Sequence, residues 1–596
     1  MRMYLRLTLI VIVTLGTAPA VFSQSADPSD PLVRVLQAKG ILTETEARAI
    51  TSNASPAEQR DRLATLLRDK GVISATEFEA IRTPASAPEM KPITAEYKTT
   101  APPPIAPEPQ STPAVIAAVA PVRLQGIDAP KREGLIPDIK LGTGARLKFY
   151  GIFKTSVIHD SSSPQGNDFP LPLLASDTGP NNSSEFHVRA RGLRLGANFE
   201  WLDVAPKTTL TGKIEFDFEG DFPRVNNRNI TSIRSSQPSL RLAWVRIDRR
   251  FSDNNSAFVL FGQDWSPFVS STLPNMIENT NFGGIGYGSP YTRIPQAKFG
   301  FNHKFGGSRN LQFEPEIAIV LPAFGNLPSD VSNQLAFGER QGTDSEQPGI
   351  QGRAVLQWQL DKSPGVVPAQ LIFSFAHARR TAIVTAANVP IAFRPAFPSG
   401  VEVSSNSNGY SAEFQLPTHF VTVVGKYYAG SDLRFYLAGQ LLSNFNDTAG
   451  LTSTATATSI DGASTVVFGL DDGIAVVAPQ RPVRAQGGFI QLGFPLSRIF
   501  DADPKGRNAG WNAYLYYGGD QVLARDARRF GARGNHSDLF SGNIQYKWNQ
   551  WVTFAYEEGY YRTRADVHTG ALPLFRGIPS FTTHNIRSEF AAIFTF

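Results

Sequence analysis

The stretch Lys207-Thr208-Thr209-Leu210-Thr211-Gly212-Lys213-Ile214-Glu215-Phe216-Asp217-Phe218-Glu219-Gly220-Asp221-Phe222 decides the fold. Successive side chains of an extended chain point to opposite faces. Leu210, Gly212, Ile214, Phe216, Phe218 and Phe222 therefore share one face, and Lys213, Glu215, Asp217, Glu219 and Asp221 share the other. In a soluble sandwich the charged face meets bulk water. In a membrane barrel it lines an aqueous lumen while the phenylalanines meet lipid. One strand suits either arrangement, so the distinction rests on the whole set.

Working outward, the same alternation recurs in sixteen segments that begin near residues 145, 185, 208, 239, 256, 291, 309, 349, 368, 408, 419, 484, 510, 538, 551 and 581. Long connections at 160–184, 223–238, 266–290, 322–348, 381–407, 430–483, 519–537 and 564–580 alternate with tighter ones such as 202–207, and 497–509 is long for a turn. Bacterial barrels have an even number of antiparallel strands, short periplasmic turns and long outer loops. The expected fold class is all-β, a transmembrane antiparallel β-barrel of about 16 strands over 141–596, with 18 strands as the alternative. Its final strand places Ile586, Ser588, Phe590, Ala592, Phe594 and Phe596 on one face and Asn585, Arg587 and Glu589 on the other. A terminal Phe closing an alternating strand resembles the signature by which the barrel-assembly machinery recognises outer-membrane proteins.

Composition agrees. After the N-terminus no apolar run of about 20 residues occurs, which excludes a helical membrane protein. Fifty Gly, 41 Phe and 16 Tyr suit many strands and turns. The absence of Cys excludes a disulfide framework. A net charge of +5 without clustering argues against a nucleic-acid partner.

Before the barrel three further regions are expected. Arg2 and Arg6 precede an apolar run from Leu7 to Leu15 and the small residues Ala18, Ala20 and Ser23, the layout of a signal peptide over 1–23, cleaved near Ser23 and Gln24. Residues 27–82 form a small helical module of two 31-residue repeats: Leu36-Gln37-Ala38-Lys39-Gly40-Ile41 returns as Leu67-Arg68-Asp69-Lys70-Gly71-Val72. Capping boxes are expected at Thr43 with Glu46, Ser55 with Glu58 and Ser74 with Glu77. The module lies in the periplasm if the barrel's termini do, where it serves as an oligomer contact, a cell-wall tether or a passive spacer. Residues 83–140, rich in Pro and Ala, read as an extended, solvated linker.

Three barrel stretches resemble the DcaP-like trimeric porins and, more distantly, the phosphate-selective porins. They are His187-Val188-Arg189-Ala190-Arg191-Gly192-Leu193-Arg194-Leu195-Gly196, Phe261-Gly262-Gln263-Asp264-Trp265-Ser266-Pro267-Phe268 and Arg293-Ile294-Pro295-Gln296. The likeness covers roughly 145–596 and fades after about 310, and the N-terminal repeat departs from the coiled coil such porins often carry. The resemblance implies an outer-membrane homotrimer and a water-filled channel for passive diffusion of small hydrophilic solutes, among them anions such as dicarboxylates or phosphate.

The faces opposite the aromatic ones supply the expected pore lining: Arg146, Lys148 and Lys154 in the first strand, His187, Arg189 and Arg191 in the second, Lys213, Glu215, Asp217 and Glu219 in the third, Arg241 in the fourth, and Arg587 and Glu589 in the last. Basic strands beside acidic ones would set a transverse field. The same residues equally suit cross-strand ion pairs that stiffen the wall. Loop 266–290, with Gly283-Gly284-Ile285-Gly286-Tyr287-Gly288, is expected to fold inward, as the third outer loop does in similar porins. No Gly-x-Ser-x-Gly elbow, metal-ligand spacing or Cys chemistry points to an enzyme or a cofactor. A barrel-anchored envelope tether using residues 31–81 and an outer-membrane enzyme are the competing functions.

Overall fold

The fold is that of a computed structural model, which describes residues 43–52, 56–70, 115–125, 136–142, 144–162, 183–218, 238–277, 286–320, 347–431, 433, 456–459, 465–471, 473–478, 484–523, 536–564, 574–575, 578–579 and 582–596. The signal peptide, the copy at Leu36–Ile41, the boxes at Ser55 and Ser74, and Glu219 lie outside the described residues. The chain forms two compact units, 1–109 and 110–596.

In the first unit, α1 (Glu44–Thr51) precedes α2 (Pro56–Asp69). The box at Thr43 is present: its N–H donates to Glu46 Oε2 at 2.8 Å and the Glu46 N–H donates to Thr43 Oγ1 at 3.4 Å. Ala47, Ile50 and Leu63 form a small buried cluster with Leu66 and Leu67 against it. Lys70 Nζ lies 2.7 Å from Glu46 Oε2, tying the end of α2 to the start of α1. That bond, reinforced by those from Thr43, holds the Glu46 carboxyl down at about 2.

The second unit is a closed antiparallel barrel. Its sixteen strands are β1 (Ala145–Asp160), β2 (Glu185–Ala205), β3 (Thr208–Asp217), β4 (Ser239–Arg250), β5 (Asn255–Trp265), β6 (Arg293–Gly306), β7 (Leu311–Val320), β8 (Gly349–Trp358), β9 (Ala369–Thr385), β10 (Gly400–Pro417), β11 (Thr422–Ser431), β12 (Arg484–Phe494), β13 (Trp511–Val522), β14 (His536–Lys547), β15 (Val552–Arg564) and β16 (Thr582–Thr595). Each has at least the 9–11 residues that a tilted strand needs to cross a bilayer. Closure joins β16 to β1, pairing Phe590 with Val157 and Phe594 with Phe153. The terminal residue completes the seam, since Phe596 N–H donates to Gly151 O at 3.0 Å and Gly151 N–H to Phe596 O at 2.9 Å.

Burial is inverted relative to a soluble protein. Along β1, Phe149, Phe153 and Val157 are exposed while Lys148, Lys154, Ser156 and Asp160 are buried. Phe373 and Phe375 of β9 and Phe540 of β14 continue the exposed apolar surface. Exposed apolar patches of this continuity mark contact with a nonaqueous phase, and backbone groups at membrane depth are satisfied only in a helix or a closed barrel. The barrel is transmembrane.

One hairpin runs further than expected, and the one connection expected to be long for a turn is long. The tenth strand begins at Gly400 rather than near 408, because β9 and β10 extend together as a hairpin whose pairing runs out to Thr385 and Gly400. The connection at 495–510 is long because it contains a short helix (Leu496–Ile499) and a 3-10 turn (Arg507–Gly510), closed by Trp511 N–H donating to Ser497 Oγ at 2.7 Å. On the same rim, Asp361 accepts from the N–H groups of Ser363 at 2.8 Å and His419 at 2.7 Å. The Ser363 bonds, above the other contacts, hold its carboxyl below the usual carboxylate range.

The folded-state value of Glu46 lies below its ordinary 4.5. Its stabilisation of the helix pair is therefore complete above about pH 4.5 and is lost as pH falls through about 2. In the full chain, the α1 amides are expected to be better protected from hydrogen exchange than in the E46Q chain at about pH 6, and equally protected near about pH 2. A protection difference that survives unchanged at the lower pH contradicts this assignment.

Candidate functional site

The lumen is lined by the inward-facing halves of the sixteen alternations, and most of the expected pore residues sort along it into three groups. Near the short-turn rim, Lys148 Nζ lies 3.6 Å and Arg146 Nη1 4.0 Å from the Asp138 carboxylate. At the β16–β1 seam, Arg587 donates to both oxygens of Asp160 at 2.8 Å, His187 Nε2 lies 3.4 Å from the same carboxylate, and Lys154 Nζ lies 3.5 Å from Glu589.

The third group spans β1 to β6. Arg241 donates from Nε to Glu215 at 2.9 Å and from Nη1 to Asp217 at 2.5 Å, while Tyr150 Oη donates to Glu215 at 2.7 Å. Lys213 and Arg194 approach Glu215 at 3.7 and 3.8 Å. The guanidiniums of Arg241 and Arg293 lie 5.9 and 5.3 Å from the centre of the Trp265 ring, within cation–π range. Four cations thus gather around two carboxylates.

The expected common face of His187, Arg189 and Arg191 is interrupted. The β1–β2 register shifts between Arg189 and Gly192, and such a bulge changes the phase of the alternation. Arg194 then takes the lumenal position beside Glu215, while the Arg191 side chain lies outside the described residues. Arg194, Arg293, Lys298, Glu314, Glu316, Arg353, Glu413 and Lys426 were not among the expected pore residues. For those on β6, β7, β8, β10 and β11 the signal was the same period-2 alternation.

The described parts of loop 266–292, residues 266–277 and 286–292, lie inside the barrel, the placement expected for loop 266–290. From Phe268 to Leu273 every residue is at most 4% exposed. Backbone groups taken out of water must find partners, and the opposite wall provides them. Thr272 N–H donates to Glu413 on β10 at 2.7 Å, Asn275 N–H to Gln491 on β12 at 2.6 Å, and Ile277 N–H to Glu557 on β15 at 3.1 Å. In return, Lys426 donates to the carbonyls of Val269 and Pro290, Tyr516 Oη to Tyr287 O at 2.6 Å, and Lys154 Nζ to Ile277 O at 3.2 Å. The loop crosses from β5 and lies along the wall from β8 round to β1.

Close contact depends on missing side chains. A Cβ on Gly409 would sit 2.3 Å from the Phe268 ring, and Gly288, at φ +99°, would place one 2.1 Å from Gly488 O.

No protein-family model and no curated protein matches the chain. Among solved structures, the outer-membrane channel DcaP of Acinetobacter baumannii is similar at 14% identity over 77% of this chain and 100% of that one, with a TM-score of 0.48. An anion-selective porin from Comamonas acidovorans is similar at 9% identity over 76% of this chain and 100% of that one (TM-score 0.40), and OprB of Pseudomonas putida at 12% over 76% and 94% (TM-score 0.37).

Arg353 on β8 joins the loop to the wall. It donates to Glu314 at 3.1 Å, to Glu316 at 3.0 Å and to Ser271 Oγ of the loop at 3.2 Å, and its side chain is 2% exposed. Arg353→Met leaves two buried carboxylates facing each other and is expected to cost about 3–5 kcal/mol, as breaking buried pairs does. The measurement is the loss of the folded, heat-modifiable band with temperature or denaturant, with E314Q added to the same chain recovering part of the loss. No change on R353M contradicts the assignment.

Proposed function

We propose that the chain is an outer-membrane porin, a water-filled channel for passive diffusion of small hydrophilic solutes, with a bias toward anions that carry carboxylate or phosphate groups. The observation that carries the reading is the unequal use of charge on the two walls. On the β10–β15 wall, Glu413 and Glu557 are buried and engaged by loop N–H groups. On the β1–β6 wall, Arg194, Lys213, Arg241 and Arg293 outnumber Glu215 and Asp217, and the Lys213 side chain is 24% exposed. The field left to a passing solute is therefore positive on one side. A planar guanidinium fork can also donate two parallel hydrogen bonds to a carboxylate or phosphate.

In this reading the short-turn rim faces the periplasm and the long loops face outward, as in bacterial barrels generally. The helical module then belongs to the periplasmic side.

The test is the reversal potential of the purified protein in planar bilayers under a salt gradient. An anion-biased potential is expected, and Lys213→Ala is expected to move it toward zero. One charge at about 8 Å in water contributes about 0.5 kcal/mol, roughly a twofold change in permeability ratio. A cation-biased parent, or no conductance from folded protein, contradicts the reading.

A further inference from the structure

Part of the stretch expected as solvated linker, 83–140, lies inside the barrel. Residues 115–125 enter at the short-turn rim, where Arg498 Nη1 donates to Ile116 O at 3.0 Å and Ala118 N–H donates to Gly365 O at 3.1 Å. Thr422 Oγ1 then donates to Val119 O at 2.5 Å, and Arg123 Nε donates to Gln415 Oε1 at 2.5 Å. Val122 and Arg123 pair as an antiparallel strand with Leu273 and Thr272 of the inward loop. Leu124 N–H donates to Ser271 O at 3.1 Å, and Gln125 Nε2 donates to Ser266 O at 2.8 Å while its Oε1 accepts from Lys298 at 3.0 Å. By Ile139 the chain is at the rim again, pairing with the first residues of β1.

What this segment covers is unusual for a porin lumen. Leu242 and Trp244 of β4 and Phe258 and Leu260 of β5 point inward and form an apolar patch, although Val245 and Ile247 on the outer face of β4 are apolar too. Val122 and Leu124 pack on that patch together with Leu273 and Tyr291 of the loop. Without the segment the patch would lose part of its cover and face water.

We propose that residues 115–125 are a seated strap, a segment that obstructs part of the pore and whose departure widens it. The strap has a built seat: a dry patch for its apolar side chains, a strand edge for its backbone and wall side chains for its carbonyls. It is continuous with both the preceding chain and the barrel, so it leaves without diffusing away. The proposal rests on the reading of the barrel as a conducting pore.

The chain has no cysteine, so V122C with L273C supplies a single thiol pair at a strand register compatible with a disulfide. In native membranes this full-length chain is expected to cross-link under mild oxidation, and in planar bilayers the oxidised form is expected to stay at its lowest conductance level. V122D with L124D places two charges against the apolar patch and is expected to raise single-channel conductance above the parent level. Heat-modifiable migration checks that this variant is folded.

A parent chain that conducts nothing removes the porin reading itself. A conducting parent whose Cys pair fails to cross-link, or whose V122D/L124D form conducts at the parent level while folded, overturns the strap alone.

Discussion

The structure depends on how an irregular stretch of backbone is accommodated inside a barrel. Apart from Thr272 and Leu273, which pair with Val122 and Arg123, the described backbone of loop 266–292 is served by no strand ladder and takes many of its partners from the barrel wall. Glu413, Gln491 and Glu557 accept from its N–H groups, while Lys426, Lys154 and Tyr516 donate to its carbonyls. Each wall residue is thereby fixed in identity by the loop as well as by its own strand. Unpaired, each such buried group would cost roughly 1–3 kcal/mol, more if charged.

The same anchoring shapes the electrostatics. Glu413 and Glu557 on the β10–β15 wall accept from loop N–H groups, whereas on the β1–β6 wall Arg194, Lys213, Arg241 and Arg293 gather around Glu215, Asp217 and Trp265. Several residues expected to line the pore are held in ion pairs, Arg587 with Asp160 and Arg241 with Glu215 and Asp217 among them. Such pairs stiffen the barrel and still contribute to the field along it.

Much of the barrel was legible because lipid and water sort side chains strictly by parity, as in Lys207–Phe222 and in Asn585–Phe596. Where that sorting stops, legibility stops. Val401-Glu402-Val403 at the start of β10 reads as loop, since its pairing with β9 is set by neighbouring backbone rather than by alternating solvents. The bulge between Arg189 and Gly192 reverses parity without a marker that a single sequence exposes. The lining residues Lys298, Glu314 and Arg353 sit in visible alternations, but their partners come from strands or loops remote in sequence. Val115–Gln125 has linker composition, and only the inward-facing Leu242, Trp244, Phe258 and Leu260, apolar where polar residues are the rule, hint that something covers them.

The most direct measurement is residue-resolved hydrogen exchange of the folded barrel at the amides of Thr272, Asn275 and Ile277. If wall carboxylates and amides hold the loop across the lumen, these three exchange as slowly as ladder amides in β10 and β12. Exchange at the rate of an exposed loop would show that the loop is not held there, and the division of charge between the two walls would fall with it.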